Sequence, residues 1–177
     1  MLFDSKFDFT TTAVKPMEVN ADLHLEVSSF LYREARLLDT RDFDQWLQLW
    51  TSDGMYWIPH QEQQSNPKDH ISLFWEDATL REVRVRRITN ARNWSQQPHT
   101  RTARSVTNIS IDGADEEGRL VVRSTLLVSE WRNTQRILAG LVTHKLVKTQ
   151  DDAWKIYLKR ADLTNSTDVL ANLEVFL

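Results

Sequence analysis

Two helices are predicted by the spacing of apolar residues near the start of the chain. After Asn20, a residue type that favours the helix N-cap, apolar side chains recur at i, i+4, i+7, i+8 and i+15: Leu23, Val27, Phe30, Leu31 and Leu38. This helix should end near Asp39. A second helical spacing follows at Phe43, Trp46, Leu47 and Trp50. Ser52-Asp53-Gly54 should stop it, because Gly accepts the left-handed conformation common at helix ends.

The next part of the chain mixes a short strand, a loop and a third helix. We predict a strand at Met55–Ile58 and a loop at residues 60–70, which are polar and contain a proline. The stretch WEDATLREVRVRRI has two alternating valines, yet it carries acids at its front and arginines at its back. That charge order suits the helix macrodipole, so we predict a helix.

From Thr100 onward the pattern becomes that of a β-sheet. We predict strands over Thr100–Ile111, Leu120–Trp131, Ile137–Thr149 and a last segment in which Trp154, Ile156 and Leu158 alternate with polar residues. Turns are expected at Asp112-Gly113, at 132–135 and at Asp151-Asp152. Helices followed by a run of antiparallel strands indicate the α+β class, with the helices packed on one face of a strongly curved, mainly antiparallel sheet that forms a cone.

Residues 1–18 lack a period and end beyond Pro16, so they are predicted to form an N-terminal arm, either mobile or tied down elsewhere. Residues 19–177 are predicted to form a single domain, because the chain is short enough for one hydrophobic core.

Composition excludes several classes of function. The net charge of −3 and the pI of about 6.0 argue against nucleic-acid binding and against an anionic membrane partner. The absence of Cys excludes disulfides, thiolate nucleophiles and Cys-ligated iron–sulfur clusters. The start of the chain has no signal-peptide pattern, and no apolar run is long enough to span a membrane. We therefore expect a cytoplasmic protein.

Catalytic and metal sites have little support in the spacing of residues. No two of the five histidines are four residues apart, so a helical metal-binding pair is not predicted. His60 and His70 flank the polar loop and are interpreted as solvated. Two interpretations of His144 remain open: a hydrogen-bonded histidine in the sheet, or a general base that converges with Asp53, Tyr56 and Asp162 in a cavity of the cone.

An arginine-rich stretch is the one charge feature of note. Between Arg81 and Arg104 the chain has seven arginines, a single acid, Glu82, and no lysine. The stretch is either a solvated helix face and strand edge or a protein interface, since Arg is enriched in protein contacts and Lys is depleted. Trp94 would anchor such a contact.

Several blocks together resemble the beta (small) subunits of aromatic-ring-hydroxylating dioxygenases, the Rieske non-haem iron oxygenases. The blocks are FLYREARLLDTRDFDQWLQLWTSDGMYWIP, LREVRVRRI, NWSQQPHTRTARSVTNI and the ending DLTNSTDVLANLEVFL. The extra arginine in RVRRI and the Ala103-Arg104 pair depart from the usual pattern of that family. The first block and ISLFW are closer to the benzoate and cumate branch, which favours carboxylated monocyclic rings as substrates.

The resemblance implies an NTF2-like cone and a chain that assembles with an alpha subunit, usually as three alpha and three beta chains. The alpha subunit is expected to carry the Rieske [2Fe–2S] cluster and a mononuclear Fe(II), and to receive electrons from NADH through a reductase, with or without a ferredoxin. The beta chain is expected to hold no cofactor, no metal and no catalytic residue. Candidate residues for the contact between subunits are Arg84, Arg87, Trp94, Arg101, Arg104 and Asn108.

The resemblance also suggests a role for the three tryptophans within residues 46–57. We predict that Trp46, Trp50 and Trp57 fill the cone that a related enzyme would leave open for its substrate, which would make a rigid scaffold. Two alternatives remain: a stand-alone NTF2-like isomerase, dehydratase or hydrolase that uses the cone, and a self-associating binding module.

Overall fold

The computed structural model describes residues 7–94, 97–168 and 173–177. Three helices are present in this part of the chain: α1 (Ala21–Asp39), α2 (Phe43–Leu47) and α3 (Ala78–Thr89). The side chain of Asn20 caps α1 as predicted, by accepting a hydrogen bond of 2.8 Å from the backbone N–H of Leu23. Asp42 and Asp77 cap the other two helices in the same way. None of these helices is both long and apolar enough to cross a membrane.

Among the residues that the structure describes, six strands form one sheet. They are β1 (Trp50–Pro59), β2 (Ser72–Glu76), β3 (Arg101–Ala114), β4 (Leu120–Arg132), β5 (Thr134–Lys148) and β6 (Trp154–Leu163). Their order is β2-β1-β6-β5-β4-β3. The four-strand meander is therefore confirmed, and β1 extends it by pairing in parallel with β6 and antiparallel with β2. The α+β class and the curled, mostly antiparallel sheet are confirmed as well.

The two faces of the sheet have different partners. The inner face turns towards α1 and holds the main core, to which Val122, Leu126, Val142 and Leu146 belong. A second, smaller core lies on the opposite, outer face. It consists of Met55, Trp57, Tyr157 and Leu158, with Phe7 and Phe9 packed against it. Because side chains alternate along a strand, Tyr56 faces inward and Trp57 outward.

The largest departure from the predicted elements lies between residues 47 and 76. Helix α2 ends at Leu47, and Trp50 already begins β1. Ser52-Asp53-Gly54 belongs to that strand, in a bulge where the pairing with β6 shifts register. Gly54 is needed there because a Cβ would lie only 2.8 Å from the carbonyl oxygen of Ile156. Strand β2 was not predicted, and it takes the first two residues assigned to the third helix.

Two turns also differ from expectation. Asp112-Gly113 lies within β3, and the turn to β4 falls at residues 115–119 instead. The predicted turn at 132–135 shrinks to Asn133, which adopts a positive φ of 66° between β4 and β5. The turn at Asp151-Asp152 is confirmed.

The described part of the N-terminal arm is tied to the outer face. Phe7 stacks on Tyr157 with the ring centroids 4.4 Å apart, and Phe9 meets Trp57 edge to face. Lys15 forms a β-bridge with Ala114. Residues 7–15 thus cross the sheet as a strap, which is the second of the two predicted behaviours; residues 1–6 lie outside the described part.

Candidate functional site

A buried carboxylate occupies the interior of the cone. Glu34 lies on the apolar stripe of α1, and its side chain is 3% exposed. Its Oε1 accepts hydrogen bonds from Trp46 Nε1 at 3.2 Å and from Lys159 Nζ at 2.7 Å, and its Oε2 lies 3.1 Å from His144 Nε2. Glu34 therefore links α1 to α2, β5 and β6 through one charged group.

The charges within this cluster are fixed by burial and by close contact. Burial raises the pKa of Glu34, but the Lys159 ammonium and the hydrogen bond to His144 outweigh it and lower that pKa to about 2. Burial lowers the pKa of His144 and that of Lys159, against the influence of Glu34 in each case. Glu34 is accordingly ionised at neutral pH beside the Lys159 side chain, and burial favours the neutral form of the His144 imidazole.

The space beside the cluster is too small for an organic substrate. A cavity of about 10 Å³ is lined by Leu31, Ser124, His144 and Lys159, among others. That is about the space of one water molecule. Within the described residues, Ser124 Oγ and His144 Nδ1 are buried without a hydrogen-bond partner, so a water molecule is the ligand that this volume and these polar atoms suit.

The residues of the predicted catalytic alternative do not converge. Asp53 is exposed in the bulge of β1, whereas His144 lies on the inner face of β5. Asp162 accepts hydrogen bonds from Arg160, whose guanidinium lies over the outward-facing ring of Trp57. Tyr56 does face inward, but its hydroxyl accepts a hydrogen bond from the backbone N–H of Leu177. The stand-alone enzyme reading is therefore wrong for the geometry of this set.

The prediction that tryptophans fill the cone holds for two of the three. Trp46 and Trp50 lie in the main core, in edge-to-face contact at 5.5 Å. Trp57 points to the outer face instead, where it donates a hydrogen bond of 2.9 Å to Ser72 Oγ. Phe176, which was not predicted to be in the cone, packs beside them, with its ring centroid 4.4 Å from that of Trp46.

Two of the six candidate contact residues have side chains that are buried within this chain. Arg84 pairs with Glu76 at 3.3 Å and donates to the carbonyl oxygen of Val175. Arg104 pairs with Asp39, and its side chain is 2% exposed. Both arginines face inward because helix and strand periodicity turns them towards the cone. The contacts described for these two arginines are thus made within this chain, and their assignment to the contact surface stays a prediction.

The other four candidates are exposed: Arg87, Trp94, Arg101 and Asn108. Two of them lie on the outer face of β3. The Arg101 guanidinium stacks 4.9 Å from the ring centre of Trp131, and Asn108 donates a hydrogen bond to Thr125 Oγ1. These contacts join both residues to the outer face of β4.

An exposed apolar surface continues from there across β4 and β5. Its members are Leu127, Trp131, Ile137 and Leu141, and we call it the open face. Strand pairing places them as diagonal neighbours: Leu127 is opposite Ala139, Ile137 opposite Ser129 and Leu141 opposite Thr125. The β1–β6 part of the same outer face is covered by the arm. Contiguous exposed apolar side chains of this kind mark a binding surface.

An acidic cluster on the outer face does not provide a metal site. Asp8, Asp115 and Glu117 bring carboxylate oxygens within 4.8 Å of one another. Lys145 pairs with both aspartates, and Arg119 pairs with all three acids. Hydrogen bonds from Lys145 and other groups outweigh burial and lower the pKa of Asp8 and that of Asp115. The cluster is thus a network of ion pairs that anchors the arm.

Iron ligands do not fit this chain either. A Rieske cluster needs two Cys and two His, and the sequence has no Cys. A mononuclear iron site of the oxygenase type needs two His and a carboxylate on one side of the metal. Within the described residues, the only grouping with metal-ligand spacing is the acidic cluster, which contains no histidine.

Sequence reasoning missed the buried cluster and the open face. Glu34 could have been noticed, because it interrupts the apolar stripe between Leu31 and Leu38 at helical spacing. Lys159 gave no such signal. The open face could be read from Leu127 and Trp131 only by knowing which side of β4 is covered.

Residues 33–168 match the sequence model of a family described as the ring hydroxylating beta subunit. The chain is similar to the benzene 1,2-dioxygenase subunit beta of Pseudomonas putida, with 31% identity over 169 residues, covering 89% of this chain and 90% of that protein. It is also 36% identical to the benzoate 1,2-dioxygenase subunit beta of Acinetobacter baylyi, over 95 residues that cover 51% of this chain and 56% of that one.

Solved structures give the same picture. The beta subunit of a benzoate 1,2-dioxygenase from Burkholderia mallei superposes with a TM-score of 0.70 at 27% identity, covering 90% of this chain and 99% of that one. A naphthalene 1,2-dioxygenase with indole bound in its active site gives a TM-score of 0.78 at 21% identity, covering 90% and 88%, which shows the shared fold. The expected NTF2-like cone is thereby confirmed.

Proposed function

The chain belongs to the family of ring-hydroxylating beta subunits, and we propose that it is the non-catalytic scaffold of an oxygenase whose alpha subunit hydroxylates an aromatic ring. The observation that carries this proposal is the filled cone. Trp46, Trp50 and Phe176 occupy its interior, and the space beside Glu34 and His144 suits one water molecule. A substrate therefore has no place to bind next to the buried acid and imidazole.

The chemistry of the complex is assigned to the alpha subunit. We propose that it carries a Rieske [2Fe–2S] cluster and a mononuclear Fe(II), and that a reductase, with or without a ferredoxin, supplies electrons from NADH. The donor set of the beta chain supports this division, because it lacks Cys. We further propose an assembly of three alpha and three beta chains in the cytoplasm, without a nucleic-acid or membrane partner.

The substrate is proposed to be a monocyclic aromatic compound, with a carboxylated ring preferred. The relatives named above are beta subunits of benzene and benzoate dioxygenases. Since they include both a plain and a carboxylated ring, the benzoate or cumate branch stays a prediction.

We propose that the open face is the surface against which the alpha subunit packs. It combines apolar side chains with Arg101 and Asn108 at its β3 margin, which matches an interface with an apolar centre and a polar rim. Arg101 would pair with a carboxylate of the alpha subunit, since arginine forms bidentate pairs with such groups. Arg87 and Trp94 remain candidates for a second contact.

A charge placed at the centre of the open face should block assembly. We expect Leu141→Glu to lower the amount of beta chain recovered with a tagged alpha subunit by at least about tenfold, because the interface would bury an unpaired carboxylate. The thermal stability of the isolated variant should stay close to that of the wild type, as Leu141 is 64% exposed.

Leu25→Glu on α1 is the matched control for this experiment. Leu25 is 66% exposed, but it lies on a helix, away from the open face. This variant should be recovered with the alpha subunit in wild-type amounts. Wild-type recovery of Leu141→Glu, or equal loss in both variants, would show that the open face is not the alpha contact.

A further inference from the structure

The segment Leu173–Leu177 is not part of a helix or strand, and its last three residues lie inside the cone. Val175, Phe176 and Leu177 are buried there, each at 8% exposure or less. Irregular backbone is seldom buried, because its N–H and C=O groups still need hydrogen-bond partners. Side chains of the cone supply those partners.

Three buried side chains bind the main chain of this segment. Arg84 Nη2 donates to the carbonyl oxygen of Val175 at 2.9 Å, and Arg104 Nη2 donates to that of Phe176. Tyr56 Oη accepts from the backbone N–H of Leu177 at 2.9 Å. The three side chains come from α3, β3 and β1, so parts of the fold that are distant in sequence converge on one stretch of peptide.

A single side chain of the segment fills an aromatic pocket. The ring centroid of Phe176 lies 4.4 Å from that of Trp46, 6.0 Å from that of Phe43 and 5.9 Å from that of Tyr56. The Arg84 guanidinium covers the same ring at 4.3 Å. The pocket thus offers tilted ring contacts, one edge-to-face contact with Tyr56 and a cation over the ring, and these interactions favour an aromatic residue.

We propose that Tyr56, Arg84 and Arg104 form a peptide-binding site, whose ligand is the chain's own segment 173–177. Recognition of main-chain groups together with one anchoring side chain is how proteins bind extended peptides. The segment adds no rung to the sheet pairings of the described residues, so its departure leaves those pairings intact. It can therefore leave the cone, and a separate peptide with an aromatic residue in the place of Phe176 can replace it.

Complementation by a synthetic peptide tests this site. A chain that ends at Asn172 is titrated with the peptide LEVFL, the sequence of residues 173–177. We expect the melting temperature to rise with peptide concentration, because a ligand that binds only the folded state stabilises it. Tryptophan fluorescence should change in parallel, since Phe176 contacts Trp46. The peptide LEVAL should bind at least about tenfold more weakly, since it lacks the ring that fills the pocket.

Equal effects of LEVFL and LEVAL, or no effect of either, would overturn the proposal. If the shortened chain does not fold alone, the refolding yield replaces the melting temperature as the readout. LEVFL should then raise that yield and LEVAL should not. Equal yields with the two peptides would again contradict the site.

Hydrogen exchange on the full-length chain gives a second, independent measurement. Tyr56→Phe removes the acceptor of the Leu177 N–H, so exchange at that amide should accelerate by about three- to tenfold. Amides in the centre of β4 and β5 should still exchange more slowly than the Leu177 amide. Tyr32→Phe, an exposed tyrosine on α1, is the control and should change neither. Exchange of the Leu177 amide at the rate of the core strands in every variant would show that the segment leaves only when the whole domain unfolds.

Discussion

Glu34→Gln is expected to lower the free energy of unfolding by about 3–5 kcal/mol, because it removes the carboxylate that pairs with the buried Lys159 side chain. The shape of the side chain is kept, so the loss measures the charge and not a cavity. An amide oxygen in the place of Oε1 keeps an acceptor for Trp46 and Lys159 but turns the amide nitrogen towards His144, and the opposite orientation turns that nitrogen towards Trp46 and Lys159. Urea unfolding followed by tryptophan fluorescence gives the value.

Glu26→Gln provides the matched comparison on the same helix. Glu26 forms its ion pair with Lys148 at the surface, where solvent screens the interaction, so this variant should unfold at almost the wild-type urea concentration. Adding Lys159→Met to Glu34→Gln should recover part of the lost stability, since the uncompensated charge is then gone. If Glu34→Gln were as mild as Glu26→Gln, the buried cluster would not be the electrostatic link described above.

Arg84→Ala should be as damaging, with a loss of about 3–5 kcal/mol, because it strips a buried carboxylate of its partner. Glu76 would keep its place at 8% exposure without the guanidinium, and the carbonyl oxygen of Val175 would lose its donor. The Arg84 guanidinium also lies 3.9 Å from the ring centre of Phe74 and 4.3 Å from that of Phe176, so packing is lost as well.

Arg87→Ala separates this structural role from a surface role. Arg87 is exposed on the same helix, so its replacement should leave the unfolding midpoint of the isolated chain where it is. Arg84→Met, which keeps much of the side-chain volume, should cost less than Arg84→Ala. An unfolding midpoint that falls equally for Arg84→Ala and Arg87→Ala would contradict the division into buried and exposed arginines.

The sequence was most informative where one face of an element is buried along its whole length. Helix α1 and the meander β3–β6 have regular apolar periods, and both appear close to the predicted residues. The predicted end of helix α2 was wrong. Trp50 continues the helical spacing by chance, but its backbone already pairs with Ile156 in the sheet. Tertiary pairing decided that boundary, and no local pattern reports it.

A bulge explains why the predicted alternation of β6 does not continue along the whole strand. A strict alternation with Trp154, Ile156 and Leu158 would place Lys159 on the face opposite to theirs. The register shift against β5 instead pairs Leu146 with Ile156 and Lys145 with Leu158. Beyond that bulge Lys159 turns inward to Glu34, since one extra residue exchanges the two faces of a strand. Such an insertion depends on the neighbouring strand and leaves no mark in the sequence of β6.

The arginine-rich stretch shows what a count of residues can predict and what it cannot. It correctly drew attention to α3 and β3, but the count of arginines did not separate those that close the cone from those that face outward. Arg84 and Arg104 lie inside the cone. There they pair with Glu76 and Asp39 and donate hydrogen bonds to the main chain of segment 173–177. Arg101 became external because it pairs across the sheet with Trp131.

The most direct test is a measurement of the iron content of the chain, purified alone and again after co-expression with its alpha subunit. It decides whether this protein is a scaffold and its partner carries out the redox chemistry. We predict a colourless, iron-free protein in the first case and, in the second, a complex that contains iron and hydroxylates an aromatic ring. Stoichiometric iron in the solitary chain, or oxidation of a substrate by it, would contradict the account.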